Sequence, residues 1–389
     1  MATDLSGMHS VDCRLVIITE IIAPYRIPVF NALASSSGIN LHVIFLAETD
    51  PTQRQWKVYA DEIRFSYEVL PNWRRRFERL HVLLNVGIFS SLRRCAPDLI
   101  ICGGYNYPAV WQSLLWAKAH GVPVVLWCES TLNDQRNKRK VFEIAKRIFF
   151  QACAGFLVPG TASREYVSSF GIGPTEIITA PNAVDISFFT QRADDALRER
   201  SRFLHELNLP AHYFLYVGRL VEQKGIFHLL EAYEKMTSQI RGQVGLVFVG
   251  DGPDRSRLLE RAAAIAPGRV CWAGFVHREQ LPAYYALSDA LVLPTLSDPW
   301  GLVVNEAMAA GAPVIVTDVA GCTVDLVTHM WNGYVIEVGH LDELSSALES
   351  LAGSSRLRST MGARSRERIL KFSPQRCAEG FAMAAGLWK

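Results

Sequence analysis

Residues 293–315 read LPTLSDPWGLVVNEAMAAGAPVI. An apolar strand ends near Pro294, a polar loop carries Asp298, and a helix opens at Gly301 and Leu302 and holds Glu306 in its second turn. Strand, turn and helix in this order form the unit of a parallel α/β sheet, whose ligands sit outside the carboxyl ends of the strands. Backbone N–H groups at such a helix start bind an anion, and the helix dipole favours this. One carboxylate before the turn and another in the helix suit two sets of hydroxyls. As plain structure, Asp298 would be an N-cap-like turn residue and Glu306 a solvated helix residue. The Gly, Ala and Pro run at 309–313 implies close packing behind them.

Upstream, the same unit recurs. YVGRLVEQKG (216–225) ends a strand at Gly218, projects Arg219 from the turn, and opens a helix at Lys224 and Gly225. Arginine presents a planar fork and lysine a point charge, both suited to a pyrophosphate. VGDGPDR (249–255) repeats the pattern, with Gly250 and Gly252 for tight turning and Pro253 at the helix start. Further strands are expected at 213–217, 245–249, 270–272, 290–293, 314–316 and 333–336, with helices at 226–238, 255–264 and 303–310 between them. A polar stretch at 181–211 precedes this half and reads as a linker containing a helix; PNAVD (181–185) stands at its entry.

The first half alternates in the same way. Strands are expected at 15–19, 41–46, 63–69, 99–102, 122–127, 155–158 and 177–180, with helices at 27–34, 109–120, 141–153 and 162–170. Short Val- and Ile-rich runs between helices read as βαβ units on a parallel sheet. The expected architecture is therefore α/β, with two Rossmann-like, doubly wound domains facing across a cleft. Their spans are 1–190 and 191–372, and a closing helix at 373–389 returns to the first domain.

The motif set of the second half resembles the donor domain of GT-B glycosyltransferases, in particular the large retaining family four. That family's pattern runs GR-L…KG, then VGxGP, then EPFGLVxLEAMAxGxPVV, and PNAVD resembles its PNGVD hinge. The resemblance covers about residues 158–351. It implies a metal-independent transfer, with retention, of a sugar from a nucleoside diphosphate sugar to a hydroxyl acceptor. UDP is favoured by family frequency and GDP stays open. By position, Arg219 and Lys224 resemble the diphosphate ligands, and Glu306 resembles the glutamate that grips the ribose. Asp298, one methylene shorter than the family's glutamate, resembles its donor-sugar contact. Gly301 and Leu302 supply amides over sugar and phosphate, with Gly218, Gly250, Gly252 and Trp300 counted alongside them. No DxD follows a strand in this half and no cofactor is implied. A hydrolase or epimerase on the same fold, or an inactive sugar-nucleotide binder, are the alternatives.

In the first half, TEIIAPYRIPVFNAL (19–33) resembles a subgroup with a PYR-x-P loop, so Arg26 would contact phosphate or acceptor, or simply stand at a helix N-terminus. WCEST (127–131) puts Glu129 where many relatives have an active-site histidine; it would bind hydroxyls, or else cap the following segment. GGYNYPA (103–109) offers Tyr105 and Asn106 as an acceptor wall. The acceptor would be a saccharide, a lipid-linked saccharide or a small molecule.

Composition bounds these readings. With 389 residues the chain suits two α/β domains, and a formal net charge of +2 argues against bulk electrostatic binding of nucleic acid. No GxGxxG follows a strand in the first half, which argues against a dinucleotide site. The eight cysteines form no CxxC pair, so neither a zinc site nor a disulfide framework is indicated. The run LVII is too short for a signal segment and no run approaches a membrane span, so a cytoplasmic protein is expected. Charge is nonetheless uneven. Residues 73–94 hold six arginines (74, 75, 76, 79, 93, 94) against Glu78, and 136–147 hold six basic residues against Glu143. With Trp73, Phe77 and Leu80 interleaved, the first segment would suit an anionic membrane surface, making the protein peripheral, or else a solvated face.

Overall fold

The computed structural model describes residues 12–50, 56–77, 80–134 and 140–389. Of the basic segments, Glu78, Arg79, Arg136, Lys138 and Arg139 lie outside the described residues, as do the side chains of Arg76, Phe77 and Leu80.

The first lobe runs β1 (Cys13–Thr19), α1 (Ile27–Ala34), β2 (Ile39–Phe45), β3 (Ser66–Val69), β4 (Asn72–Phe77), β5 (Leu80–Asn85), α2 (Ile88–Cys95) and β6 (Leu99–Gly103). It continues with α3 (Pro108–His120), β7 (Val124–Trp127), α4 (Lys140–Ala152), β8 (Gly155–Val158), α5 (Thr161–Ser168) and β9 (Ile177–Thr179). Seven strands make a parallel sheet in the order β3-β2-β1-β6-β7-β8-β9, and β4 pairs with β5 as an antiparallel hairpin. Central strands such as β1 and β7 are buried almost throughout because helices cover both faces. On one face α2, α3, α4 and α5 bury Leu92, Leu114, Phe150 and Val167 against the sheet. On the other lie α1 and the chain's last helix.

The second lobe begins with α6 (Ile186–Arg198) and α7 (Arg200–Glu206), then β10 (Tyr213–Val217), α8 (Ile226–Lys235), α9 (Ser238–Arg241), β11 (Gly245–Val249), α10 (Arg255–Ile265) and β12 (Val270–Gly274). There follow α11 (Leu281–Leu287), β13 (Ala290–Leu293), α12 (Leu302–Ala310), β14 (Val314–Thr317), α13 (Thr323–Leu326), β15 (Gly333–Ile336), α14 (Leu341–Ala352) and α15 (Ser355–Ile369). Its six-stranded parallel sheet has the order β12-β11-β10-β13-β14-β15. The last helix, α16 (Pro374–Trp388), crosses back to the first sheet, where the Phe381 ring meets the Trp127 edge at 4.9 Å.

Three features depart from the sequence reading. Residues 181–211 are not a linker with one helix: α6 and α7 occupy them, and α6 buries Phe189, Ala193 and Ala196 against α11 and α12. The polar face of α6 dominates its composition, which hid the apolar stripe. Residue 190, where the sequence placed the domain boundary, lies inside this helix. β4 and β5 pair antiparallel, and Arg74 turns inward, onto Asp50 at 2.6 Å, rather than joining a uniformly exposed basic run. Pro253 precedes the start of α10 at Arg255 by two residues instead of opening it.

Candidate active site between the lobes

In each sheet the strand order reverses beside the first strand of that lobe, at β1/β6 and at β10/β13. The loops leaving such a pair diverge to opposite faces and leave a crevice at the carboxyl ends, where open α/β sheets bind ligands. The site residues of the second half sit on the loops of this switch. Lys224 ends a single 3-10 turn after β10, and Asp298 lies on the loop after β13. Lys224 Nζ approaches Asp298 Oδ2 at 2.6 Å and the Ser297 carbonyl at 3.4 Å. The other oxygen, Oδ1, accepts the Trp300 N–H at 3.2 Å. Asp298 is thus at once a turn residue and an ion-pair partner. The Leu296 N–H donates to Gln223 O at 2.9 Å, so the two loops are tied by backbone as well.

Arg219 is exposed on the turn after β10, whose backbone carbonyl accepts the buried Tyr216 hydroxyl at 2.9 Å. Beside it, Gly250 (φ 127°) follows β11, and a Cβ there would stand 2.0 Å from the Gly218 carbonyl oxygen. The two turns touch backbone to backbone, which only glycine allows. Gly252 packs on the Leu220 backbone in the same way. Gly301, at φ 95°, is the N-cap of α12 and leaves the first amides of that helix, Leu302 among them, facing away from any helical acceptor.

Glu306, in the second turn of α12, accepts the Tyr285 hydroxyl at 2.6 Å. Burial pushes its carboxyl up to about 7, against the hydrogen bond from Tyr285 and the nearby charge of Arg278, which pull it down. It is not a solvated helix residue. Trp300 departs from its expected place in the binding surface. Its indole is buried, with Nε1 donating to Asn305 Oδ1 at 2.9 Å, and Asn305 in turn donates to the Asn182 carbonyl of PNAVD at 2.9 Å. Trp300 therefore braces Asn305, which ties α12 to the PNAVD segment.

Across the cleft, the guanidinium of Arg26 lies 4.1 Å over the Trp127 ring and donates to Thr19 Oγ1 at 2.9 Å and Glu129 Oε1 at 3.2 Å. The two first-lobe charges expected at the site thus pair with one another at the β1/β6 switch. They line a cavity of about 310 Å³ together with Glu20, Asp50, Arg74 and Tyr107. Tyr105 and Asn106, expected as an acceptor wall, line a second pocket at the β1/β6 switch together with Glu20, Arg26, Tyr107 and Glu129. The Tyr105 ring packs on Phe149 and Phe150, its hydroxyl meets that of Tyr166 at 3.3 Å, and burial raises its pKa. Asn106 is exposed, and Tyr107 has Glu20 as hydrogen-bond partner. Sequence reasoning missed Tyr107, Tyr285, Arg278, Asp50 and the inward Arg74. Of these, only Tyr107 carried a signal, as part of the GGYNYPA segment.

Contacts among the described residues join the lobes around this cleft. Ser297 Oγ donates to the Asn133 carbonyl at 3.1 Å. Asp325 accepts the Thr161 N–H at 2.9 Å and its hydroxyl at 2.8 Å. Arg278 pairs with Glu62 through both carboxylate oxygens and lies 4.1 Å over the Tyr59 ring.

The family model described as Glycosyltransferase Family 4 matches residues 30–188, and that described as Glycosyl transferases group 1 matches residues 198–368. Alpha-D-kanosaminyltransferase of Streptomyces kanamyceticus is 32% identical over 269 residues, covering 67% of this chain and 69% of that protein. The chain belongs to the GT-B glycosyltransferases. An uncharacterized glycosyltransferase of Methanocaldococcus jannaschii is 38% identical to this glycosyltransferase over 120 residues. That match spans 31% of this chain and 30% of the relative, so the glycosyltransferase is matched over only about a third of some relatives. Among solved structures, Anabaena HepE in complex with UDP superposes with a TM-score of 0.74 at 17% identity, covering 96% of this glycosyltransferase and 99% of that chain. At that identity the likeness speaks for the fold. Among the described residues of the glycosyltransferase, no helix is long and apolar enough to cross a membrane.

Proposed function

We propose that the chain transfers a glycosyl group from a nucleoside diphosphate sugar to a hydroxyl acceptor, with retention at the anomeric carbon and without a metal ion. The observation that carries this reading is the Lys224–Asp298 pair spanning the β10/β13 switch beside the α12 N-terminus. A fixed ammonium, Arg219 and a set of free amides suit a diphosphate leaving group, while Glu306 suits the ribose hydroxyls and Asp298 the sugar. The bond from the anomeric carbon to the β-phosphate oxygen breaks as the acceptor oxygen bonds to that carbon. The acceptor proton passes to the departing diphosphate. Preorganised charge at the leaving group supplies the main stabilisation of this step. The Arg26–Glu129 cavity receives the acceptor, whose hydroxyls find carboxylates and Tyr107 there. UDP is the favoured nucleotide, supported by neighbours solved with UDP and with UDP-glucose.

A panel of UDP- and GDP-sugars, assayed for nucleoside diphosphate release with acceptor mixtures and with EDTA, tests the reading. Release dependent on acceptor, unaffected by EDTA, and an α-configured product from an α-linked donor are expected. Release without acceptor incorporation would make it a hydrolase, and loss in EDTA restored by magnesium or manganese would overturn metal independence.

A further inference from the structure

Four elements on one face of the first lobe turn the same pair of residue types outward. On β4, Trp73 and Arg75 are exposed two residues apart, on one side of the strand, and Trp73 pairs in register with exposed Leu84 of β5. On α2 the outward pair is Phe89 and Arg93, and on α3 it is Leu115 and Lys118. On α4 it is Ile144 and Ile148 with Arg147 between them. These spacings of three or four residues put each pair on one helix face. The inner sides of the hairpin, α2, α3 and α4 share one core, so their outer sides form a single layer. The apolar members are well out of the fold: Trp73 is 50% exposed, Phe89 48%, Leu115 67% and Ile144 59%. Glu143, the acid of α4, is held by Lys146 at 2.8 Å.

Single exposed apolar side chains are ordinary, but a layer of them each flanked by a cation is not. The stems of arginine and lysine lie along acyl chains while their heads meet phosphates, and tryptophan favours the same boundary. We propose that this layer docks on an anionic lipid bilayer. The surface differs from the contiguous 73–94 segment. Arg74 and Arg94 leave it, paired with Asp50 and Glu68, and α3 and α4 enter it. The hairpin that turns Trp73 outward also lends Arg74 and Leu83 to the acceptor-side cavity, so docking brings that cavity to the membrane.

The test is co-sedimentation of the full chain with phosphatidylcholine vesicles, with and without phosphatidylglycerol. It reads no turnover, so its outcome is separate from that of the glycosyltransfer assay. Binding is expected with phosphatidylglycerol at low salt and falls as salt is raised. Reversing Arg93 and Arg147 to Glu lowers partitioning at least about 25-fold, because each lost cation near the surface counts for roughly fivefold. Phe89→Asp with Ile144→Asp lowers it on the order of tenfold. Leu370→Asp, an equally exposed site on the second lobe, leaves it unchanged. Thermal melting confirms that each variant is folded, and Leu115→Asp replaces any apolar variant that is not. No binding at low salt, retained binding in either double variant, or an equal loss in Leu370→Asp would overturn the proposal.

Discussion

Lys224 and Asp298, 74 residues apart in the chain, form a 2.6 Å ion pair across the strand pair where the second sheet reverses its order. Lys224 also donates to the Ser297 carbonyl of the facing loop, and Asp298 serves its own loop by accepting the Trp300 N–H. The ammonium has three donors, so one remains for a ligand.

This pairing separates the effects of the two carboxylates. Asp298→Ala releases Lys224 toward the diphosphate, so affinity for free nucleoside diphosphate is retained or raised while turnover of the intact donor falls. Glu306→Ala weakens both. A charge-assisted hydrogen bond counts for about 1.5–3 kcal/mol, so each effect is on the order of tenfold to a hundredfold. Calorimetry beside kinetics reads both, and an equal loss of diphosphate affinity in the two variants would end the division of roles.

Arg219→Ala lowers turnover by about two to three orders of magnitude, the usual cost of losing one donor at a site of developing charge, roughly 3 kcal/mol. Because Arg219 is exposed, the melting temperature hardly moves. Near-normal turnover in a folded variant would remove it from the phosphate site.

Glu306 makes nucleotide affinity depend on pH. Its carboxyl sits at about 7, and in the proposed role the ionised form is the one that accepts the ribose hydroxyls. Affinity for the nucleoside diphosphate therefore rises toward a plateau above pH 7 and falls below it. Stability runs the opposite way: the folded state holds this proton more tightly than the unfolded chain, so stability falls as pH rises from about 4.5 to about 7. Glu306→Gln removes the charged form, keeps an acceptor for Tyr285, and melts above the wild type at pH 8 but not at pH 4.5. Identical pH profiles of melting in the two proteins would refute the buried carboxyl.

Gly160 lies where the lobes touch. A Cβ there would stand 2.3 Å from Asp325 Oδ2 and 2.7 Å from the Trp300 ring, against the bonds Asp325 makes to Thr161. Gly160→Ala forces the lobes apart at a cost of about 1–3 kcal/mol. A larger radius of gyration by small-angle scattering and a raised KM for both substrates are expected. An unchanged scattering profile would show that the contact yields locally.

The strands around the second-half motifs were legible because parallel strands buried on both faces must be short, apolar and followed by tight turns. β10, β11 and β13 begin and end where the sequence places them. The helix α6 was not legible. Its solvent face supplies most of its charge, and only its partners α11 and α12 reveal which residues are inside. Tyr105 and Tyr107 carry the same chemistry two positions apart, but packing separates them: Tyr105 rests on Phe149 and Phe150, whereas Tyr107 reaches the cavity shared by Arg26 and Arg74.

By itself the sequence determined the two-sheet architecture and the order of the loop motifs, since periodicity, glycine turns and helix starts are local properties of the chain. Pairing was decided by tertiary structure alone. Arg26 finds Glu129, Lys224 finds Asp298, and Glu306 is shifted by burial, because each depends on how distant loops converge and how much water they exclude. The charges were readable in the chain, but the electrostatics that give them roles arise only where the strands end together.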